Sequence, residues 1–423
     1  MDLEGLTRKL IDQDKNLKDE LRHWLEFFKG KTDQNDLIAE TIVKEVVNSL
    51  KFSSFSFDRV GLTAGESGLG SRGVGDHMVH LKLFELSKRK LDSFDDAGIV
   101  QDLVISVDGI HSRLSYFPFL AGFHATKATL RDIMVKGGEP LGILVDIHLS
   151  DDSDISMLFD FEAGVSTVAE ALGIPILAGS TLRIGGDLVL GERISGGVGS
   201  IGRLKGEPFS RKRIAKGQSI VMTEGNGGGT ISSMAIFHGI EGVVEETLKI
   251  KDLEACSIIN SSRDLVVSMT DVTNGGIRGD ALEISEITNL SLVINEERFL
   301  DLINPKIRKV LEELRIDPFG LSIDSILIFT YYPEEVVRIL NSKGVRSSVI
   351  GEVEEYKGYP VVTENGKEMR PSFRESPYTP IKALIGNNTR FTLDEIKRKL
   401  EIAYLNSAKK KEKVLKNLKA ESN

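Results

Sequence analysis

Cysteine is nearly absent: Cys256 is the only one in 423 residues. A lone thiol excludes an internal disulfide and any metal site built from clustered cysteines. No apolar run approaches the ~20 residues that cross a membrane. The first residues also lack the apolar core of a signal peptide, so a cytoplasmic location and no membrane partner are expected. Positive charge is in deficit, with 54 Lys and Arg against 63 Asp and Glu. The resulting net charge of −9 argues against a general nucleic-acid binder. Proline is scarce, 11 residues against 41 glycines, which points to many tight backbone positions and not to disorder. The G-x-x-x-x-G-K-S/T pattern of a P-loop does not occur.

What remains is an ordinary globular composition, 40% hydrophobic and 28% charged, long enough for two domains with their own cores. Its densest stretch is 95–140. Asp95-Asp96 opens it, and an apolar strand over 103–107 ends in Asp108-Gly109. A helix over 119–136 carries Asp132 and stops at Gly137-Gly138, where glycine suits the left-handed closing residue. A carboxylate at the end of a strand sits at the mouth of a sheet. Carboxylates gathered there need a cation, and oxygen-only ligands suit Mg²⁺ shared with phosphates. Singly, each has a plainer reading: an exposed turn at 95–96, a β-turn at 108–109, and a surface ion pair of Asp132 with Lys136.

Two further segments carry chemistry. Residues 61–79 are glycine-dense, with Gly68, Gly70 and Gly73 able to turn N–H groups toward an anion and Arg72 adding charge. A structural loop is the alternative there. Residues 269–286 place Asp271 at a strand end, then Gly275-Gly276 and a helix from about Gly279; a helix cap is the plainer reading. Apolar faces at Leu17, Leu21, Trp24, Leu25 and Phe28, and at Ile38, Ile42, Val46 and Leu50, predict two packing helices near the N-terminus. A lysine-rich helix is predicted over 391–423.

Asp95-Asp96-Ala97-Gly98-Ile99, Asp108-Gly109 and Arg131-Asp132-Ile133-Met134-Val135-Lys136-Gly137-Gly138-Glu139-Pro140 resemble, in this order, the core motifs of the aminoimidazole ribonucleotide (AIR) synthetase superfamily, a PurM-like group. By motif the selenophosphate synthetase and HypE branch is nearest, through Thr270-Asp271-Val272-Thr273. Arg131, Ser180 and Gln218 stand where the family has other residues. The glycine-dense segment has no cysteine, so selenophosphate chemistry is not expected.

The resemblance implies a two-domain PurM-like α/β (α+β) fold, with an N-terminal sheet able to pair into a dimeric barrel, a C-terminal α/β domain and extra terminal helices. The expected division is a helical extension (1–55), an ATP-binding domain (56–205), a second domain (211–360) and a C-terminal extension (361–423). Implied roles are metal ligation by Asp95, Asp96, Asp108, Asp132 and Asp271, phosphate contacts by Gly68, Gly70, Arg72, Gly73 and Lys127, and ligand approach at Gly275 and Gly276. His111 and His124 are candidates for proton transfer; a plain structural role is the alternative for both. The implied activity is ATP- and Mg²⁺-dependent transfer of phosphate to an oxygen of a small-molecule substrate, by a homodimer. The alternative is a non-catalytic nucleotide-binding or assembly protein on the same fold.

Overall fold

A computed structural model of the chain describes residues 1–13, 16–52, 55–88, 95–273, 275–375 and 377–421. The first sheet contains β1 (Gly98–Val100), β2 (Leu103–Gly109), β3 (Gly138–Leu149), β4 (Ile176–Arg183) and β5 (Ile194–Leu204). Their order is β1-β2-β5-β3-β4, antiparallel except for the parallel pair β3/β4. The second sheet contains β6 (Ser219–Thr223), β7 (Ser268–Asp271), β8 (Leu290–Ile294), β9 (Ile326–Thr330), β10 (Ser347–Glu355), β11 (Val361–Thr363) and β12 (Glu368–Met369). It runs β12-β11-β8-β10-β6-β9-β7, with β11 parallel to β8 and every other neighbouring pair antiparallel.

The helix Pro118–Val135 lies between the two sheets, buried along nearly its whole circumference. Proline at its first position costs no hydrogen bond, because that N–H would have no partner inside the helix. One continuous core joins Leu130 and Met134 of this helix to Ile143 and Val145 of the first sheet and to Met269 and Ile328 of the second. Cys256 is packed in that core. The helix Ser156–Leu172 crosses it at very short range, made possible by paired glycines. A Cβ on Gly164 would collide with the Phe119 carbonyl, and one on Gly122 with the Phe161 carbonyl. Overpacking at such a crossing costs about 1–3 kcal/mol. Gly164→Ala should therefore lower the urea midpoint by that equivalent, and an unchanged midpoint would show that the helices can separate freely.

β4 is an edge strand, half-buried only at Ile176, because one side has no strand partner and its outer face is uncovered. The N-terminal residues form three helices, Leu3–Leu10, Leu17–Lys29 and Asn35–Leu50. Leu3, Leu21, Leu25, Ile42 and Val46 make a small separate core with Leu190, whereas Ile38 and Leu50 of the expected apolar face are exposed. The C-terminal helix spans Leu393–Glu421, residues 422 and 423 lying outside the described ones. It buries Ile396 and packs on the helix Val74–Leu86, with Lys82 paired to Glu401 at 2.5 Å. Among the described residues no helix is long and apolar enough to cross a membrane.

Candidate active site

Chain segments far apart in sequence deliver their carboxylates to one place. The run before β1 brings Asp95 and Asp96, β2 brings Asp108, the central helix brings Asp132, and the end of β7 brings Asp271. All five line a single cleft of about 790 Å³. Asp132 and Lys136 are not a surface pair. Lys136 is buried and bonded to Asp95, while Asp132 accepts from Ser106 Oγ at 2.6 Å.

Arginines neutralise part of this charge. Arg131 Nε donates to Asp271, while its Nη1 lies 2.7 Å from Asp252 and 3.1 Å from Asp324. Arg211 Nη2 donates to Asp96 at 2.6 Å and its Nη1 to Glu283 at 2.5 Å. The compensation is uneven. Burial would raise the Asp95 carboxyl, but Lys136 and Arg211 hold it below its usual range. Burial also opposes ionisation of Asp324, yet Arg131 and Lys127 hold it low. Asp96 is pushed up to about 7, by burial first and then, against the pull of Arg211, by Asp271 and Asp95. Burial raises Asp108 against Arg72 and Arg131. Asp132 is driven well above the carboxylate range by burial and by Asp108, Asp271 and Asp96. Asp108 and Asp132 form no ion pair among the described residues. Asp280 Oδ2 is buried without a hydrogen-bond partner. The site therefore holds more carboxyl groups than its own cations can keep ionised.

The glycines divide by role. Gly70 and Arg72 line the cleft, but their N–H groups already donate to Asp76, at 2.8 and 3.1 Å. The segment 61–79 is largely helical, with a short helix Ala64–Ser67 closed by Gly68 at φ +80°. Gly73 sits against the Ser372 and Phe373 carbonyls, which a Cβ would meet at 2.5 Å, so packing accounts for it. Gly275 backs onto the Arg72 carbonyl and Gly276 onto Phe319, and neither lines the cleft. Lys127 also lies off the cleft. It is buried between Asp324, at 2.7 Å, and Asp252, and it donates to the Lys249 carbonyl at 3.0 Å.

Both histidines line the cleft as neutral rings. Burial first, then nearby cations, pulls each down to about 3. His124 Nε2 bonds Ser232 at 2.9 Å, and His111 Nε2 bonds the Tyr378 hydroxyl at 2.7 Å.

Family models for the AIR synthase related protein match here in sequence order, the N-terminal domain over 94–201 and the C-terminal domain over 215–363. The chain belongs to the AIR synthase related family. The uncharacterized protein MJ1416 of Methanocaldococcus jannaschii is 40% identical, over 99% of this chain and 98% of its own. A thiamine-monophosphate kinase of Methanopyrus kandleri is 24% identical over 63% of this chain and 84% of its own. Among solved structures, AaThiL complexed with AMPPCP and TMP superposes with a TM-score of 0.57 at 18% identity, covering 73% of this chain and 97% of that one. HypE in complex with ATP gives 0.54 at 15%, covering 78% and 98%. The fold is thus the two-domain PurM-like fold.

Several residues of this family member's cleft do not stand out in the sequence. Arg211 sits in a basic run that reads as a domain entry. Glu283 lines the cleft from the helix Gly276–Thr288, where it reads as one of several acids on an ordinary helix, and Asp280 lies one turn earlier, outside the cleft lining. Asp324 precedes β9 and adopts φ +53°, a strained backbone of the kind concentrated at functional sites. Ser180, a departure from the family pattern, lies on the exposed β4 and does not line the cleft. Arg131, another departure, is the cation that ties Asp252, Asp271 and Asp324 together.

Proposed function

We propose that this protein is an ATP- and Mg²⁺-dependent enzyme that transfers phosphate from ATP to a carbonyl or amide oxygen of a small substrate. The observation that carries the reading is the convergence of Asp96, Asp108, Asp132 and Asp271 in one cleft with incomplete compensation by internal cations. Magnesium fits such a donor set. It takes oxygen ligands, and one or two carboxylates suffice when phosphate oxygens and waters complete the octahedron. Among the described residues no three His, Cys, Asp or Glu side chains are grouped to hold a metal ion by themselves, so the polyphosphate and water would have to supply the other ligands. Asp108 and Asp132 would hold it, with Asp96 and Asp271 adjoining. Bound there, it would neutralise the phosphates during transfer.

The chain's own residues do the rest. Arg72 presents a fixed guanidinium on the cleft wall, held above its ordinary range by Glu283, Asp76 and Asp280 against burial. Arg131 and Arg211 fix the positions of Asp271 and Asp96. The relatives support nucleotide use: one is by name a thiamine-monophosphate kinase, and the solved structures hold AMPPCP or ATP. The test is calorimetric titration of AMPPCP with and without Mg²⁺, followed by ATP turnover against candidate acceptors. Absence of Mg²⁺-dependent binding would end the proposal. Because Asp96 and Asp271 are already met by arginines, the second reading is a nucleotide-binding assembly protein. Tight binding with no turnover on any acceptor would favour it.

The same reading includes a homodimer through the outer face of the first sheet. Val107 is 77% exposed, Leu182 62% and Leu177 57%, an uncovered apolar surface of the kind that marks an interface. Val107→Asp should convert a species of twice 46.5 kDa to one of 46.5 kDa in light scattering. A wild-type protein already monomeric at micromolar concentration would refute the dimer.

A further inference from the structure

The lining contributed by His111, Gly229, Thr230, Tyr378 and Lys382 contains no carboxylate, in contrast to the acidic part described above. Tyr378 and Lys382 lie beyond residue 363, past the segments matched by the family models. The segment is anchored there. Tyr378 is 1% exposed, and Thr379 caps the helix Pro380–Ile385 through the N–H of Lys382.

Its hydrogen bonds can be assigned. Ser233 Oγ donates to the Gly229 carbonyl at 2.7 Å, so toward His111 Nδ1, 3.1 Å away, it accepts. The proton of the neutral His111 ring is therefore on Nδ1, and Nε2 accepts from the Tyr378 hydroxyl. The Tyr378 oxygen in turn accepts from Lys382 Nζ at 2.7 Å. The chain Lys382–Tyr378–His111–Ser233 is ordered in one direction and leaves ammonium protons of Lys382 unused.

Among the described residues neither Lys382 nor the neighbouring Arg113 forms an ion pair. Arg113 lies over the Phe237 ring at 3.8 Å, and its Nε is buried without a partner. Around the acidic part of the cleft the buried cations Arg131, Arg211 and, behind its wall, Lys136 each meet a carboxylate. Lys382 Nζ lies over the Tyr378 ring at 4.0 Å, so both cations rest on aromatic faces and neither is neutralised by a carboxylate. Their cost is visible in Lys382, pushed down to about 8 by burial first and then by Arg113. The N-terminus of the helix Gly229–His238 faces the same lining, with Gly229 against the His111 ring and no side-chain cap. Asp324 lies against Gly228 just before this helix, but among the described residues no side chain caps its first-turn N–H groups, which add to the attraction for negative charge.

We propose that the C-terminal extension builds an anion subsite into the cleft, so that the phosphate-accepting substrate itself carries a carboxylate or a phosphate, held by Lys382 and the first-turn N–H groups of the helix Gly229–His238. The inference rests on the phosphoryl-transfer reading for the role of the ligand, but the subsite is testable without turnover.

Reductive ¹³C-methylation of the full-length protein supplies an NMR probe, with the Lys382 signal assigned by its loss in Lys382→Arg. With the nucleotide site filled by AMPPCP and Mg²⁺, inorganic phosphate and acetate are titrated separately. An anion beside the ammonium should move the Lys382 titration from near 8 toward the ordinary 10.5. The anion that acts at lower concentration identifies the substrate group as phosphate or carboxylate. In Lys382→Met, affinity for that anion, followed in the unmethylated protein by calorimetry, should fall at least tenfold, with Lys382→Arg retaining most of it and AMPPCP affinity unchanged in both. No movement with either anion, or equal affinity in Lys382→Met, would overturn the subsite. Failure of AMPPCP to bind while the Lys382 shift persists would instead overturn the phosphoryl-transfer reading and leave the subsite standing.

Discussion

Arg131→Ala is expected to cost about 3–5 kcal/mol of stability, the loss typical when one partner of a buried ion pair is removed. The reason is not the value of the pairs themselves. Asp252, Asp271 and Asp324 are each at most 5% exposed, so deleting the guanidinium strands negative charge on largely buried carboxylates, of which Asp271 and Asp324 touch the cleft at its edge. With roughly 2–4 °C per kcal/mol for domains of this size, the melting temperature should drop on the order of 10 °C. Lys127 limits the loss at Asp324 and Asp252, to which it is paired, but it forms no pair with Asp271. Arg131→Lys should give an intermediate loss, because a single ammonium cannot satisfy three carboxylates arranged around a planar fork. The double variant Arg131→Ala/Asp324→Asn should recover part of the loss, since one stranded charge disappears with its partner. A single-variant loss below ~1 kcal/mol would mean that these acids reach solvent or take up protons readily, and the account of Arg131 as their internal counter-ion would be wrong.

That arginine also shows where sequence reading stops. The strand ending in Asp108, the helix stopping at Gly137, and Asp271 closing β7 are legible because they are local: a two-residue alternation, a helical period, a glycine where the chain must turn left. Their order along the chain is enough to suggest a shared cleft. Which cation meets which acid is not local. Asp271 and Asp252 are 140 and 121 residues from Arg131, and only the packing of β7 and the helix Lys251–Asn260 against the central helix brings them to it. Lys127, one turn before Arg131, reads equally well as a phosphate ligand until its environment shows Asp324 in place of open cleft. The glycines misled for a related reason. Composition reports that Gly73 and Gly276 tolerate unusual backbone, but not that the neighbour demanding it is the carbonyl of Phe373 or Phe319 and not a phosphate. Tyr378 and Lys382 had no signal at all, since a tyrosine and a lysine four apart after a proline occur in many surface helices.

Asp108→Asn is expected to separate stability from function. In the free protein ionised Asp108 is disfavoured by burial and only partly offset by Arg72 and Arg131. Burial raises its carboxyl, and it in turn raises Asp132, so an amide of the same size removes a repulsion and should leave the melting temperature equal or higher. If the carboxylate is a cation ligand, the same change should lower Mg²⁺-dependent ATP turnover by ~10²-fold or more, the scale of electrostatic contacts made in a transition state. The two effects have one cause: a site held ready for a divalent cation carries, without it, the repulsion that the cation would relieve. Ligand linkage gives a second readout that needs no substrate. At 100 times its dissociation constant a ligand stabilises by about 2.7 kcal/mol, so Mg²⁺ with AMPPCP should raise the wild-type melting temperature by several degrees, and EDTA should reverse it. In Asp108→Asn that increment should be largely lost while the baseline is kept. A variant that melts lower than wild type without ligand, yet keeps the full Mg²⁺ increment, would show that Asp108 serves the fold and that the cation, if any, is held elsewhere.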